Sequence, residues 1–239
     1  MYKSRTYRKW TGAEDLVHFE VVEKETDLAV YADSDLKIIA GRAVSRLRRD
    51  LESYIKLDPK FLYSLEPVEL KPGAPEIAGI MAAAGAAAGV GPMAAVAGAF
   101  SEFVGRELLK LSKQVIIENG GDIFISSLIP RTIGIYAGEE SPFTGRLAVM
   151  IEDAKNGLGV CTSSGTVSHS LSFGKTDATL IISDSAALAD AAATATGNAV
   201  KSKEDIEKGI EVARSIDGVK GVLITVGDKM GTWGNIKLV

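Results

Sequence analysis

Alternating apolar and polar positions near the beginning of the chain predict a β-hairpin. Within residues 14–32, two alternating stretches flank the polar stretch Glu23–Asp27, which has the composition of a turn. Over residues 35–56, apolar side chains recur at the spacing of an amphipathic helix. Short polar side chains cap helices by accepting free backbone N–H groups, a role open here to Asp33, Ser34 and Asp35.

The segment Ile77–Phe100 carries no charge and is rich in small residues. Of its 24 residues, 11 are alanine and 5 are glycine, and Pro92 lies inside it. Because alanine and glycine gain little free energy on transfer into lipid, a membrane span is not expected. We predict a buried segment whose small side chains let backbone or a ligand approach closely, followed by a helix over about Ala97–Lys113.

Strand and helix patterns alternate more plainly in the second half. Helices are predicted at 185–200 and 203–216, the latter beginning with a capping box of Ser202 and Asp205. A hairpin around Gly227-Asp228 closes the chain. We predict one α/β (α+β) domain over residues 1–239, and two packed halves of about 1–113 and 114–239 remain open. The other predicted strands are Val115–Ile117, Ile123–Ile125, Thr132–Tyr136, Leu147–Ile151 and Thr179–Ile182.

Composition narrows the class of protein. The 239 residues are 46% hydrophobic and 24% charged with a net charge of −4, which argues against a disordered chain and a basic nucleic-acid binder. A single cysteine and two histidines exclude disulfide frameworks and cysteine- or histidine-rich metal cages. The basic start Met1–Trp10 has no apolar run behind it, so secretion is not expected and we predict a cytoplasmic protein.

Three polar segments are candidates for chemistry, and the first is Glu118–Asp122. A strand that runs into Gly120 and Gly121 exposes backbone N–H groups, and Asp122 adds an acceptor for a ribose or a base. The alternative interpretation is a tight turn, because such sequences commonly join two strands.

The second candidate is the hydroxyl-rich segment Cys161–Ser170. Its serines and threonines suit phosphate binding, and its histidine, His169, titrates close to neutrality and is a candidate general acid or base. The alternative is a polar surface loop with a structural histidine. Cys161 is expected to be a small buried residue, since no second histidine lies close in sequence to activate it.

The third candidate is the pair Asp190 and Thr194. On a helix the two side chains share one face, one turn apart, and their oxygens suit Mg²⁺ completed by phosphate and water. Alternatively, Asp190 caps the helix and Thr194 bonds a backbone carbonyl.

The order of these segments resembles the ApbE family of FAD-dependent flavin transferases. More narrowly, residues 118–125 and the run GVCTSSGTVSHSLSFGK at 159–175 resemble the UPF0280 branch of that superfamily. The resemblance extends from about Ile38 to the end of the chain. It implies an ApbE-like, T-fold-related architecture in which mixed or antiparallel sheets pack against helices.

Carried over by position, the resemblance implies a role for each segment. Asp190 and Thr194 would be Mg²⁺ ligands, with a backbone carbonyl near Ala95–Ala97 as a third. His169 would act in transfer. An FAD-like nucleotide would be bound by Gly120, Gly121, Asp122, Thr162, Ser163, Ser164, Gly165 and Lys175.

The sequence departs from the family pattern at two places. After His169 the chain reads Ser-Leu-Ser-Phe-Gly-Lys, without the aspartate, proline and threonine of the family motif. The Lys-Gly pair of the family appears here as Gly98-Ala99, although Lys175 offers another positive charge.

Three functions remain open at this stage. The leading one is an ApbE-like protein that binds a flavin or nucleotide diphosphate with Mg²⁺ and cleaves or transfers across the pyrophosphate. The second is an enzyme acting on a pterin-like or other heteroaromatic metabolite. The third is a non-catalytic, homo-oligomeric binding protein. None of them involves nucleic acid or a membrane.

Overall fold

A computed structural model describes residues 12–166 and 173–239 of the chain. Its centre is an eight-stranded sheet in the order β1-β2-β3-β4-β7-β8-β9-β10, with every neighbouring pair antiparallel, and β5 and β6 form a separate two-stranded sheet. The strands are β1 Val17–Glu23, β2 Thr26–Ala32, β3 Val115–Asn119, β4 Asp122–Ser126, β5 Arg131–Gly134, β6 Ala148–Ile151, β7 Leu158–Ser163, β8 Ala178–Ser183, β9 Val219–Val226 and β10 Lys229–Gly234.

Six α-helices and two short 3₁₀ segments accompany the sheets in the described residues. The 3₁₀ segments are Pro92–Ala95 and Lys203–Asp205, and each leads into an α-helix. The helices are α1 Lys37–Leu57, α2 Lys60–Tyr63, α3 Glu76–Ala88, α4 Val96–Leu108, α5 Ala186–Ala199 and α6 Ile206–Ser215.

The two faces of the large sheet bury different partners. On one face, α1, α3 and α4 cover β1–β3, and α5 and α6 cover β7–β9. On the other face, the small sheet β5–β6 packs its isoleucines and valines against apolar side chains of β3, β4, β7 and β8. Because side chains alternate along a strand, each strand contributes to both cores. The architecture of helices packed on antiparallel sheet confirms the predicted fold class.

Most local elements agree with the sequence-based expectation. The first hairpin, the hairpin of β3 and β4, the helix α5 and the last hairpin form where they are predicted. The capping box of Ser202 and Asp205 is present, with both reciprocal hydrogen bonds. At α1, by contrast, the N-cap residue is Leu36, whose side chain makes no capping hydrogen bond. The Asp35 carboxylate accepts the Lys37 N–H instead.

Three elements differ from the prediction. The strand β7, Leu158–Ser163, was not predicted, because it contains a glycine and its outer half is hydroxyl-rich rather than apolar. It nevertheless lies in the middle of the sheet, where neighbours on both sides satisfy its backbone. The helix predicted to reach Lys113 ends at Leu108, and the alanine-rich segment before it is itself the helix α3.

Among the described residues, no single helix is long and apolar enough to cross a membrane, although α3 and the 92–108 stretch, bent by 105°, reach that length and hydropathy together.

Candidate functional site

The turn between β3 and β4 is a two-residue hairpin made by Gly120 and Gly121. Their φ values are +68° and +105°, a left-handed conformation that favours glycine. The Gly121 N–H donates to the Glu118 carboxylate at 2.8 Å, so this amide is already occupied. The geometry of this segment therefore agrees with the tight-turn interpretation. The turn also fixes Asp122 at the beginning of β4, opposite Asn119.

Asp122 faces the helices from the sheet. It lies opposite Cys161 of the neighbouring strand, and both side chains are buried on the helical face. Burial, together with the negative charges of Asp190 and Glu118, raises the pKa of the Asp122 carboxyl well above its ordinary value. The Thr162 backbone N–H and the Cys161 thiol face that carboxyl and act in the opposite direction.

Cys161 is a buried, inert thiol in this arrangement. Burial raises its pKa well above the ordinary value, and the charges of Asp122 and Asp190 add to the shift. The thiol donates to the Ala186 carbonyl at 3.3 Å. The side chain therefore belongs to the packing between the sheet and α5, as the sequence predicted.

The N-terminal end of α4 approaches α5 very closely. A Cβ atom placed on Gly98 would lie 2.1 Å from the Ala186 carbonyl oxygen, so only glycine fits at this crossing. Polar contacts tie the same end of α4 to the hairpin. The Ser101 hydroxyl donates to the Asp122 carbonyl at 2.9 Å, and the Asn119 amide donates to the Ala97 carbonyl at 3.2 Å.

Asp190 lies on α5 at this crossing and is half-buried. Its Oδ2 atom accepts the Gly98 N–H at 2.9 Å, so the carboxylate caps α4 rather than its own helix. The cap of α5 is Ser185, whose hydroxyl oxygen accepts the Leu188 N–H. Burial raises the pKa of the Asp190 carboxyl to about 7, although the Gly98 and Ala97 N–H groups favour its charged form.

Glu102 of α4, in turn, caps the N-terminal end of α5. Its Oε2 atom accepts the Ala186 N–H at 2.7 Å and the Ser185 hydroxyl at 2.9 Å. Its Oε1 atom accepts two N–H groups of Arg106, at 2.7 and 2.9 Å. The two helices thus exchange carboxylates, each supplying one to the other's N-terminal turn, where the helix dipole favours negative charge.

The remaining predicted residues lie toward the other end of α5. Thr194 is half-buried one turn beyond Asp190, and its hydroxyl bonds no other residue in the described part of the chain. At the last turn, Asn198 accepts the Phe173 N–H at 2.8 Å. At 1.5 Å per residue, the eight-residue interval from Asp190 to Asn198 spans about 12 Å along the helix axis.

Two strand ends meet beside this last turn of α5. The Gly165 N–H donates to the Thr176 carbonyl at 2.9 Å, and the Lys175 N–H donates to the Val200 carbonyl at 2.9 Å. Ser164 is buried, and its hydroxyl oxygen accepts the Thr166 N–H at 3.2 Å. Lys175 is exposed. This end therefore combines hydroxyl groups and a positive charge.

The predicted site residues thus form two groups joined by α5. Gly120, Gly121, Asp122 and Asp190 surround the N-terminal turn of α4, and the 163–165 segment with Lys175 lies near the C-terminal end of α5. His169 lies in 167–172, outside the described residues. The sequence-based reasoning missed Glu102. The available signal was an acidic residue that ends an uncharged stretch and precedes Arg106 by four positions.

The donor set suits Mg²⁺ when water or phosphate fills the remaining positions. No group of three or more His, Cys, Asp or Glu side chains within 12–166 and 173–239 is arranged to hold a metal. Mg²⁺ ordinarily needs only one or two carboxylates and takes phosphate and water for the rest. Asp122 and Asp190 repel each other, and neither has an ion pair with a described lysine or arginine. A divalent cation would relieve that repulsion.

Comparison of sequences places the chain among known proteins. A family model described as "AbpE bacteria" matches residues 8–221. The UPF0280 protein of Methanosarcina acetivorans is 42% identical over 222 residues, which make up 92% of this chain and 86% of that protein. The UPF0280 protein of Methanococcus vannielii is 46% identical over 219 residues, covering 89% and 88% of the two chains.

Comparison of structures gives the fold. The flavinyl transferase ApbE of Pseudomonas stutzeri, in its apo form, matches with a TM-score of 0.56 at 14% identity, over 92% of this chain and 94% of that chain. The ApbE protein of Thermotoga maritima matches with a TM-score of 0.56 at 12% identity, over 90% and 96%. The molecule is therefore a protein of the ApbE fold. Its relatives specify it further: the chain belongs to the UPF0280 family, as the sequence motifs indicated.

Proposed function

We propose that this protein binds a flavin or nucleotide diphosphate together with Mg²⁺ along α5, and that it cleaves or transfers across the pyrophosphate. Asp190 and Thr194 would hold the cation, and Lys175 with the 163–165 segment would contact the phosphates. Gly120, Gly121 and Asp122 would face the nucleotide. The structural relatives are flavin transferases, which is consistent with this choice of ligand class.

The observation that carries the proposal is the carboxyl pair at the α4–α5 crossing. Asp122 is buried, Asp190 is half-exposed, and the negative charge of Asp190 adds to the burial that raises the pKa of Asp122. A protein that needed these groups only for stability would gain by replacing one with a neutral side chain. Retaining two poorly compensated carboxyl groups near each other is typical of a site that is completed by a cation.

The length of the site suits an elongated nucleotide diphosphate, because it exceeds the diphosphate group alone. The cation would lie near Asp190, and the backbone of Lys175 lies beside the last turn of α5, about 12 Å along the helix. Opposite ends of an elongated anionic ligand would thereby meet positive charge.

The proposed transfer step balances without a further reactant. When bound, Mg²⁺ supplies charge neutralisation for the diphosphate oxygens. A hydroxyl oxygen of an acceptor or of water attacks one phosphorus and forms a new P–O bond. The bond from that phosphorus to the bridging oxygen breaks, and its electron pair leaves with the departing nucleoside phosphate. The proton of the attacking hydroxyl passes to a base, the role that the resemblance implies for His169.

The test is to identify what the natively purified protein carries. Wild-type protein prepared with Mg²⁺, and again with EDTA, is denatured, and the released molecules are analysed by mass spectrometry and absorbance. We expect a flavin or nucleotide diphosphate from the Mg²⁺ preparation and at least a tenfold loss with EDTA or in Asp190→Ala. Asp184→Ala is the matched control, because this exposed aspartate pairs with Lys220 at the surface and is expected to retain the ligand.

Two results would contradict the proposal. One is a wild-type protein that binds neither Mg²⁺ nor any flavin or nucleotide at millimolar concentration. The other is release of a pterin-like or other heteroaromatic molecule in equal amount with and without Mg²⁺, which would favour the alternative enzyme.

A further inference from the structure

We propose that Glu102 is a positioning residue for the cation site: it holds the first turn of α5 against α4 and thereby fixes the carboxylate of Asp190. This inference rests on the proposed function, since the cation is the one assigned there to Asp190. Glu102 itself does not touch the ligand. Its effect is transmitted through α5.

The contacts of Glu102 with α5 are concentrated on one oxygen. Oε2 accepts the Ala186 N–H at 2.7 Å, the Ser185 hydroxyl at 2.9 Å and the Ala187 N–H at 3.4 Å. The two N–H groups belong to the first turn of α5, where the helix has no carbonyl partners of its own to offer them. The carboxylate is only 8% exposed, so water does not replace these bonds readily.

The other oxygen is fixed by Arg106. Oε1 accepts the Nε–H and an Nη–H of Arg106, one turn further along α4. The guanidinium in turn lies over the ring of Phe124, 5.5 Å from its centroid. Both oxygens of Glu102 therefore have defined partners, and the carboxylate has little freedom to move.

Ala186 connects Glu102 to Asp190. Its N–H is bound by Glu102, and its carbonyl oxygen faces Gly98, where a Cβ atom would come within 2.1 Å. Asp190 follows one turn later on the same rigid helix, about 6 Å along the axis, and it bonds the N–H of that same Gly98. Movement of the first turn of α5 must therefore change the distance between Asp190 and α4.

The matched experiment compares two glutamates of α4. Binding of Mn²⁺, which stands in for Mg²⁺ and is visible by electron paramagnetic resonance, is titrated into wild-type protein, Glu102→Gln and Glu107→Gln. The Glu107 carboxylate pairs with Lys110 on the opposite, solvent-facing side of the contact. Loss of an outer-shell partner typically weakens metal binding about 10- to 100-fold. We expect about tenfold weaker binding and a changed line shape of the bound ion in Glu102→Gln, and a Kd within about twofold of wild type in Glu107→Gln.

A third variant separates positioning from loss of stability. Ile133→Val removes one methyl group from the core on the opposite face of the sheet and lowers stability without contacting α4 or α5. We expect this variant to bind Mn²⁺ as the wild type does. If Glu102→Gln does not fold, Arg106→Met replaces it, because that variant frees Oε1 while keeping an apolar stem over Phe124. A weakening of Mn²⁺ binding is again expected.

The outcomes are distinct for the two proposals. A folded Glu102→Gln, or Arg106→Met in its place, with the wild-type Kd and line shape would overturn the positioning role and leave the cation site intact. Equal weakening in Ile133→Val would also overturn it, because the loss would then follow stability alone. A wild-type protein that binds no Mn²⁺, or an Asp190→Asn variant that binds it normally, would overturn the cation site itself and the positioning role with it.

Discussion

The N-terminal turns of α4 and α5 receive the same kind of group and use it differently. Glu102 reaches from α4 to α5, and Asp190 reaches from α5 to α4. The first carboxylate has an arginine, a serine and two backbone N–H groups as hydrogen-bond partners. The second accepts a backbone N–H, has no described cationic partner, and faces the buried Asp122.

The difference indicates which carboxylate is structural and which is available. A carboxylate whose two oxygens are both bonded has its charge compensated within the protein and contributes stability. A half-exposed carboxylate whose pKa is raised, and which lies near a second carboxylate, lowers stability until a cation binds. The crossing of α4 and α5 thus contains one carboxylate compensated by the protein's own donors and one with no described cationic partner.

The largest expected effect comes from breaking the contact that both carboxylates share. Gly98→Ala places a Cβ atom against the Ala186 backbone, which neither side can avoid by rotating a side chain. We expect a loss of about 3 kcal/mol in the free energy of unfolding, measured by urea denaturation. Gly79→Ala is the control: Gly79 lies on α3 with open space around it, and alanine there is expected to stabilise by about 0.5 kcal/mol. A tolerated Gly98→Ala would contradict the described packing.

The next largest effect is the change in the free energy of unfolding caused by two neutralising substitutions in metal-free protein at pH 8. The two changes are expected to have opposite signs. Glu102→Gln is expected to lose about 2 kcal/mol of stability, because the amide leaves N–H groups of α5 poorly paired. Asp190→Asn is expected to gain about 1 kcal/mol, because it removes a half-buried charge and its oxygen still accepts the Gly98 N–H. Denaturation curves in EDTA give both values. Equal signs would mean that the two carboxylates have the same role.

The pH dependence of stability sharpens the comparison further. In the unfolded chain Asp190 ionises near 3.8, whereas in the folded protein its pKa is about 7. The folded state then holds the proton more tightly, so the contribution of Asp190 to stability is present below pH 4 and is lost as pH rises toward 7. We expect a shallower slope over this interval in Asp190→Asn, followed by thermal unfolding in EDTA. An unchanged slope would assign the loss to other groups.

The smallest effect is expected at the far end of α5. Lys175 is exposed, so Lys175→Ala is expected to change the free energy of unfolding by less than about 0.5 kcal/mol. Its affinity for a nucleotide diphosphate in Mg²⁺ is expected to fall about three- to tenfold, with a weaker dependence on salt. Lys229→Ala, at an exposed position of β10, is the control and is expected to bind as the wild type does. Calorimetric titration at two salt concentrations makes this comparison.

The structural features that the sequence predicted well are local ones. The Gly-Gly hairpin, the small-residue helix α5 and the capping box of Ser202 and Asp205 depend on residues within a few positions of one another. The exchange of Glu102 and Asp190 joins residues 88 positions apart in the chain, by the difference of their numbers. Sequence periodicity and spacing do not indicate such a pairing, because it depends on how the two helices pack in three dimensions.

The site itself was predicted in part for the same reason. Asp190 was selected for its spacing to Thr194, but its bond to Gly98 depends on how α4 crosses α5. The glycine at that crossing was noted as a departure from the lysine of the family pattern, and its physical reason is steric: the Ala186 carbonyl leaves no room for a side chain. The strand β7 was missed because its stability comes from neighbours on both sides rather than from its own residues.

The most direct measurement of the central claim is the affinity for a flavin or adenine diphosphate in the presence of Mg²⁺ and of EDTA, in wild type and in Asp190→Asn. The account predicts at least tenfold tighter binding with Mg²⁺ in the wild type and no difference between Mg²⁺ and EDTA in the folded variant. A diphosphate that binds equally with and without Mg²⁺, or an Asp190→Asn protein that keeps the Mg²⁺ dependence, would contradict it.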